Sequence, residues 1–241
     1  MINSLSIIFP IFNESQRLHL TIQDIKKFNE KKRIKKLEYI FVDDGSKDDS
    51  LQILATFIKK NKKSNINYKV LKIKNNTGKG NALKNGVKFC KNDWILTLDS
   101  DISVSISQIN NWEKKKFLDK KNTIFFGSRN LHDSKMKYKL YRKILGILFS
   151  SFVNIFFSIN LKDTQCGFKL YRRKEAKLIF KNLKDQGFAH DIELILLAKK
   201  YNISITELPV NWTHRDNSKL NIFLDTFKMF YNLIKIKINY N

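Results

Sequence analysis

Apolar residues along this chain fall into two spacings. Short apolar runs bounded by polar turns occupy residues 5–9, 39–42, 68–73, 94–98 and 123–126, and each has the pattern of a buried strand. Between them the apolar positions take helical spacing, first at Leu18, Ile22, Ile25 and Phe28, then at Leu51, Leu54, Ala55 and Ile58. Strand and helix in alternation predict an α/β fold, a mostly parallel sheet flanked by helices on both faces. Asp48 or Asp49 is placed to cap the helix that carries Leu51, and Thr77-Gly78 precedes the one that carries Ala82 and Val87.

The second half changes character. Residues 138–159 read as one long helix, basic at its start through Lys137, Lys139, Arg142 and Lys143 and apolar afterwards. Beyond Leu220 a second amphipathic stretch places Phe223, Leu224, Phe227, Phe230, Tyr231 and Ile234 on one stripe, with Lys228 and Lys235 off it. Such a helix packs either on a domain core or in a membrane interface, and two of them beside basic clusters point towards the membrane surface. No linker composition divides the chain. It is read as one domain over 1–241, in two halves, 1–130 and 131–241.

Charge sharpens this picture without settling it. The 46 basic against 22 acidic side chains give a formal net charge of +24, which attracts anions: nucleic acid, acidic membranes or phosphate-bearing substrates. Lysine, asparagine and isoleucine are used throughout, as an AT-rich coding background would also produce. Cys90 and Cys166 have no metal-ligand spacing and suit a reducing compartment. No signal peptide is expected, since the first apolar run is short and contains Pro10. The longest apolar stretch falls short of the roughly 20 residues of a spanning helix, so no transmembrane helix is expected.

Ligands of a parallel α/β sheet bind outside the carboxyl ends of its strands, and four motifs fall there. Pro10-Ile11-Phe12-Asn13-Glu14 follows the first strand and Asp43-Asp44-Gly45-Ser46 the second. Asn76-Thr77-Gly78-Lys79-Gly80 follows the third and Asp99-Ser100-Asp101 the fourth. Asp99 and Asp101 put two hard oxygen ligands at the sheet edge, suited to Mg²⁺ or Mn²⁺ with substrate phosphates. An isolated Asp-x-Asp is common in surface turns; its place after a buried strand makes it a metal candidate. The Asp43–Asp44 segment serves as a turn and cap, or as an acceptor for a base N–H or ribose hydroxyls. Gly78-Lys79-Gly80 opens a helix whose N–H groups could meet an anion. Neither the P-loop spacing nor the dinucleotide fingerprint is present, which argues against simple ATPase and dehydrogenase readings.

This run of motifs resembles the family 2 glycosyltransferases, enzymes of the GT-A fold, over nearly the whole chain. The second half is similar to their polyprenyl-phosphate branch, the dolichyl-phosphate glucose and mannose synthases. That likeness rests on Asp163-Thr164-Gln165-Cys166-Gly167-Phe168-Lys169, Asp191-Ile192-Glu193-Leu194 and Val210-Asn211-Trp212 with Ser218-Lys219 following. The resemblance implies nucleotide-sugar binding by Pro10, Asn13, Glu14, Asp43, Asp44, Lys79 and Asp99. It implies a Mg²⁺ or Mn²⁺ site at Asp99 and Asp101, and an acceptor-phosphate site at Ser128, Arg129 and Arg142 beside Gly127. Asp101, Asp191 and Arg129 are the implied catalytic residues, with Asp191 a candidate base. His190 stands where the family usually shows Phe.

The expected activity is metal-dependent, inverting transfer of a hexose to a polyprenyl or dolichyl phosphate at the cytoplasmic membrane face by a peripheral enzyme. UDP-glucose is the favoured donor, because the Gln-Cys-Gly-Phe-Lys form leans to the glucosyl enzymes; GDP-mannose comes second. A phosphate acceptor is ionised near neutral pH and needs positioning more than a strong base, a task that guanidinium groups suit. One rival keeps the enzyme class with a glycan or lipid-linked saccharide acceptor. Another is a non-catalytic basic protein bound to nucleic acid or membrane, disfavoured by carboxylates at the strand ends and by the lack of nucleic-acid signatures. The oligomeric state is left open.

Overall fold

The computed structural model describes residues 1–31, 34–61, 65–119, 123–137, 140–215 and 222–240, with 136–137, 140–148 and 222–230 described as backbone alone. The first half alternates strand and helix: β1 (Ser4–Ile11), α1 (Leu18–Lys31), β2 (Lys36–Asp44), α2 (Ser50–Lys60), β3 (Ile66–Ile73), α3 (Lys79–Phe89) and β4 (Trp94–Thr97). Then come α4 (Gln108–Lys114), β5 (Thr123–Ser128), β6 (Lys135–Lys137), α5 (Leu140–Phe157), β7 (Lys169–Arg172), α6 (Arg173–Asn182) and α7 (His190–Lys200). β8 (Ser204–Pro209), β9 (Asn211–Thr213) and α8 (Ile222–Tyr240) complete the order.

The main sheet runs β3-β2-β1-β4-β7-β5-β8, and a small parallel pair joins β6 to β9. β1 pairs in parallel with β2 and β4, β2 with β3, and β5 with β8. β7 is antiparallel to both β4 and β5, so a strand of the second half lies between two of the first. The five strands predicted from apolar runs are β1 to β5. β7 escaped that pattern because two of its four residues, Lys169 and Arg172, are basic; β8 is a polar edge strand.

Period-two alternation along β1 divides the core in two. Leu5, Ile7, Phe9 and Ile11 face a cluster with Leu18, Ile25 and Phe28 of α1, Leu54 and Phe57 of α2, and Trp112 of α4. Ile8, with Ile40 and Val42 of β2, faces a second cluster containing α3, α5, α6, α7 and α8. Each face is thereby buried, which is why the parallel strands read as nearly continuous apolar runs. Aromatic rings bind β1 to β2, with Phe9 and Phe41 stacked at 5.3 Å.

Helix boundaries depart from the sequence reading in small ways. Asp49 stands at the N-cap of α2 without a side-chain cap bond; Asp48 instead accepts from the Ser50 N–H at 3.1 Å and ties in Ser15 N–H at 3.0 Å. The long helix expected over 138–159 ends at Phe157, followed by Ser158 at φ +52°. On α8, Leu233 and Ile236 are buried, whereas Tyr231 and Ile234 of the predicted stripe are exposed at 69% and 55%. Tyr231 and Ile234 thus turn away from the core, while Phe223, Leu224, Phe227 and Phe230 lie outside the residues whose side chains are described. Among the described residues, no helix is long and apolar enough to cross a membrane.

Two substitutions check this assignment of core and surface. Phe41→Ala deletes a fully buried, stacked ring and is expected to cost about 3–5 kcal/mol in chemical denaturation. Tyr231→Ser, on the exposed face of α8, is expected to change stability by no more than about 0.5 kcal/mol.

Candidate active site at the carboxyl ends of the strands

The loops after β1, β2 and β3 are cross-linked by their own polar groups. Asn13 takes φ +54°; its N–H donates to Ser46 Oγ at 2.8 Å and its Oδ1 accepts from the Lys47 N–H at 2.7 Å. The Glu14 N–H donates to Ser50 Oγ at 2.8 Å, and its carboxylate holds Arg17 bidentately at 2.6 and 2.8 Å. Pro10 lies half-buried near the end of β1, opposite Val42. The two adjacent aspartates differ. Asp44 is buried, and both its oxygens are engaged: Oδ1 by the N–H and Oγ of Thr77, and Oδ2 by the Gly78 N–H at 2.7 Å. It organises the glycine loop and has no free face for a ligand. Asp43 Oδ1 is buried with no partner, while Oδ2 accepts from the Ser46 N–H at 3.3 Å. A buried acceptor left open costs free energy until a donor arrives.

The glycine loop serves packing more than anion capture. Gly78 has φ +105°, and a Cβ there would collide with the Gln186 carbonyl; a Cβ on Gly80 would meet Asp185 O at 2.6 Å. The Asn81 N–H at the start of α3 already donates to Gln186 O at 3.1 Å. The expected anion cradle is thus partly filled by the segment before α7. Lys79 is the side chain that this packing delivers to the site.

Its ammonium lies 2.6 Å from Asp99 Oδ1. Burial opposes charge on Asp99, but Lys79 outweighs it and holds the carboxyl below its usual range. Burial and the neighbouring Asp99 push Asp101 the other way, although its Oδ1 accepts from the Ser103 N–H at 2.9 Å. Gly167 forms the floor: a Cβ there would overlap Asp99 Oδ2 and reach its Cγ at 2.7 Å. A divalent cation fits this donor set. Two carboxylates converge, and among the described residues Asp101 has no ion-pair partner, with the longer-range charge of Arg17 opposing its protonation. Among the described residues no cluster of three or more metal-ligating side chains occurs. Mg²⁺ and Mn²⁺ commonly take one or two carboxylates and leave the other positions to phosphate and water.

A cavity of about 40 Å³ joins Asp99 to Arg129, with Ser103, Gln165, Gly167 and Trp212 on its walls. Arg129 is oriented by buried Asp163, which accepts from its backbone N–H at 2.9 Å and from Nε and Nη2 at 2.6 and 2.8 Å. Its guanidinium also lies 6.0 Å from the Trp212 ring. Ser128, expected to bind phosphate, is fully buried in β5 with Oγ unpartnered and does not line this cavity; alternation along the strand turns it into the core. Arg142 is placed by backbone in the first turn of α5, and its side chain, like Ser218 and Lys219, lies outside the described residues. Cys166 touches the cavity, but burial pushes its thiol up to about 12, unsuited to nucleophilic work.

Asp191, the expected base, opens α7 in the interior at 5% exposure. Its Oδ1 lies 2.7 Å from Lys169 Nζ and 3.1 Å from His190 Nε2. Burial would raise its proton affinity, yet His190, Lys169 and Lys79 together hold the carboxyl far below its usual range. A carboxylate so stabilised is a poor proton acceptor, so the geometry corrects its role from base to counter-ion. His190 is structural, with Nδ1 2.7 Å from Gly187 O.

Three charged residues gained their places only in three dimensions. Arg17 is drawn to the site by Glu14, and Asp101 and Asp99 add to its hold on the proton; a Glu at i and Arg at i+3 was the only signal. Asp163 and Lys169 stood within the quoted motif, with nothing to say that one would grip Arg129 and the other Asp191.

Comparison with known proteins accords with this geometry. The sequence profile described as Glycosyl transferase family 2 matches residues 6–180. The chain is 38% identical over 245 residues to a dolichyl-phosphate beta-glucosyltransferase of Dictyostelium discoideum, covering 98% of this chain and 74% of the relative. It is 30% identical over 254 residues to that of Saccharomyces cerevisiae, covering 98% and 75%. Among solved structures it is similar to glucosyl-3-phosphoglycerate synthase of Mycobacterium tuberculosis in complex with Mn²⁺, UDP and glucosyl-3-phosphoglycerate. The TM-score is 0.67 at 16% identity, over 97% of this chain and 80% of that one. The same synthase in complex with Mn²⁺, UDP-glucose and glycerol 3-phosphate also gives 0.67, at 14% identity. With a GT-A architecture and a profile match over most of its length, the chain belongs to glycosyl transferase family 2.

Proposed function

We propose that this enzyme transfers glucose from UDP-glucose to a polyprenyl phosphate, of the dolichyl type, at the cytoplasmic face of a membrane. One observation carries the reading: Asp99, two residues from Asp101, and Arg129 line a single cavity, which supports a diphosphate end facing a phosphate-binding end. Relatives over nearly the whole chain are dolichyl-phosphate beta-glucosyltransferases, and a structural neighbour holds Mn²⁺ with UDP-glucose. Residues 1–130 supply the donor site and 131–241 most of the acceptor site, within one domain.

Asp43 Oδ1 is the open acceptor for the base. It suits the N3–H of uracil and also the N1–H of guanine, which keeps GDP-mannose as the second donor, whereas cytosine has no proton there. Asp99 and Asp101 would hold Mg²⁺ or Mn²⁺, which when bound supplies charge neutralisation for the departing diphosphate. Lys79, on the far side of Asp99, keeps that carboxylate ionised and adds positive charge near the diphosphate. Arg129, pre-oriented by Asp163, presents its guanidinium to the acceptor phosphate. An oxygen of that phosphate forms the new bond to the anomeric carbon from the face opposite UDP. The carbon–oxygen bond to UDP breaks, and its electron pair leaves on the UDP β-phosphate. The phosphate needs no base, in keeping with the engaged state of Asp191. Exposed Tyr231, Ile234 and Ile238 on α8, and Ile155 at 83% exposure on α5, support docking on a membrane surface with the basic charge towards anionic lipid.

Asp101→Ala is expected to abolish metal-dependent transfer from labelled UDP-glucose, and full activity in that variant would sink the proposal. The paired variant Arg129→Ala/Asp163→Asn, which strands no buried carboxylate, separates the lipid-phosphate acceptor from a glycan acceptor. Activity with a short polyprenyl phosphate should fall about a hundredfold through loss of a charge-assisted bidentate contact, while a hydroxyl acceptor would feel little. Asp43→Asn turns an acceptor-only group into an amide. In calorimetry it should weaken UDP binding about tenfold without lowering the thermal midpoint, since the lost bond is made only with ligand.

A further inference from the structure

Lys169 is an unusual residue for its place. It sits in β7, an interior strand of the sheet between β4 and β5, in register with Thr97 and Phe126, and only 1% of its surface is exposed. Its ammonium donates to Asp191 Oδ1 at 2.7 Å and to the Cys166 carbonyl at 2.7 Å, and lies 4.7 Å from the Phe126 ring. A buried ion pair is a weak source of stability, because desolvation of both groups offsets their attraction. Its effect here is geometric. The Cys166 carbonyl it grips belongs to the turn whose next residue, Gly167, lies against the Asp99 carboxylate so closely that no Cβ fits. The same turn lines the cavity shared with Arg129.

We propose that Lys169, clamped by Asp191, is a positioning residue for donor binding: it fixes the Cys166–Gly167 turn and through it the seat of Asp99. A neutral side chain of similar length would leave the Cys166 carbonyl unheld, and the turn would shift into or away from the carboxylate. This also gives Asp191 a task within the site, as the anchor of Lys169. The inference rests on the reading of Asp99 and Asp101 as the metal and diphosphate ligands.

The test is calorimetric titration of Mn²⁺ in the presence of UDP, with thermal unfolding measured alongside. Lys169→Met alone strands a buried carboxylate and is prone to unfold, so the paired variant Lys169→Met/Asp191→Asn, which removes both charges, is the principal probe. It should unfold cooperatively and bind Mn²⁺–UDP about tenfold or more weakly, the scale of a lost outer-shell support. Introduced into Asp99→Asn, the same pair should weaken UDP binding by less than about twofold further, because the carboxylate it positions is already gone. Unchanged Mn²⁺–UDP affinity in the paired variant, or its full effect persisting in the Asp99→Asn background, would overturn the positioning role. Wild-type protein that takes up no Mn²⁺ with UDP would overturn the underlying reading of the site instead.

Discussion

The site depends on keeping several carboxylates ionised and close together at the edge of a sheet, where each would otherwise repel the others. The chain meets this constraint by giving four of these acids a cation each. Lys79 serves Asp99, Lys169 serves Asp191, Arg129 serves Asp163 and Arg17 serves Glu14. Asp101 has no ion-pair partner among the described residues, and burial and Asp99 raise its proton affinity. Residual negative charge is thus concentrated where a divalent cation and a diphosphate would meet. At Asp99, Asp163 and Asp191 the charges are matched, so ligand binding need not reorganise the whole cluster.

Topology makes that matching possible. β7 enters antiparallel between β4 and β5 and brings the Gln165–Lys169 turn against the loop that bears Asp99. Sheet pairing therefore joins the two halves of the chain at the site itself. On the far side of the glycine loop, the segment before α7 packs its carbonyls on Gly78 and Gly80, while Glu193 accepts from Lys184 and Asp185 N–H and from Tyr240 of α8. The donor loop is consequently braced by backbone contact from one direction and by side-chain charge from another. Polar networks of this kind rigidify what they connect.

The apolar face left on α5 and α8 is a different matter from the core. Leu233, Ile236, Val153 and Phe157 already satisfy the packing of these helices, so Ile155, Tyr231, Ile234 and Ile238 are surplus to the fold. Such apolar surface beside lysines, as at exposed Lys235, is what the proposed docking on a membrane would use.

The first half of the molecule was legible because a buried parallel sheet writes itself as apolar runs, and its ligand loops must follow those runs. Five strands, three helices and the carboxylates at the strand ends were readable for that reason, and the resemblance added the acceptor residues. What each polar residue does with its oxygens was decided only in the folded chain. Asp43 and Asp44 are adjacent in sequence, yet one keeps an open acceptor while the other is engaged at both oxygens, because only Asp44 reaches the glycine loop. Ser128 and Arg129 are likewise neighbours that strand alternation sends to opposite environments. Asp191 looked like a base until Lys169 and His190 were found beside it. β7, which opens on Lys169 and closes on Arg172, gave no apolar run. Local sequence encodes periodicity and turn chemistry, whereas the partner of a buried charge is chosen by residues tens of positions away, and only tertiary packing brings them within 3 Å.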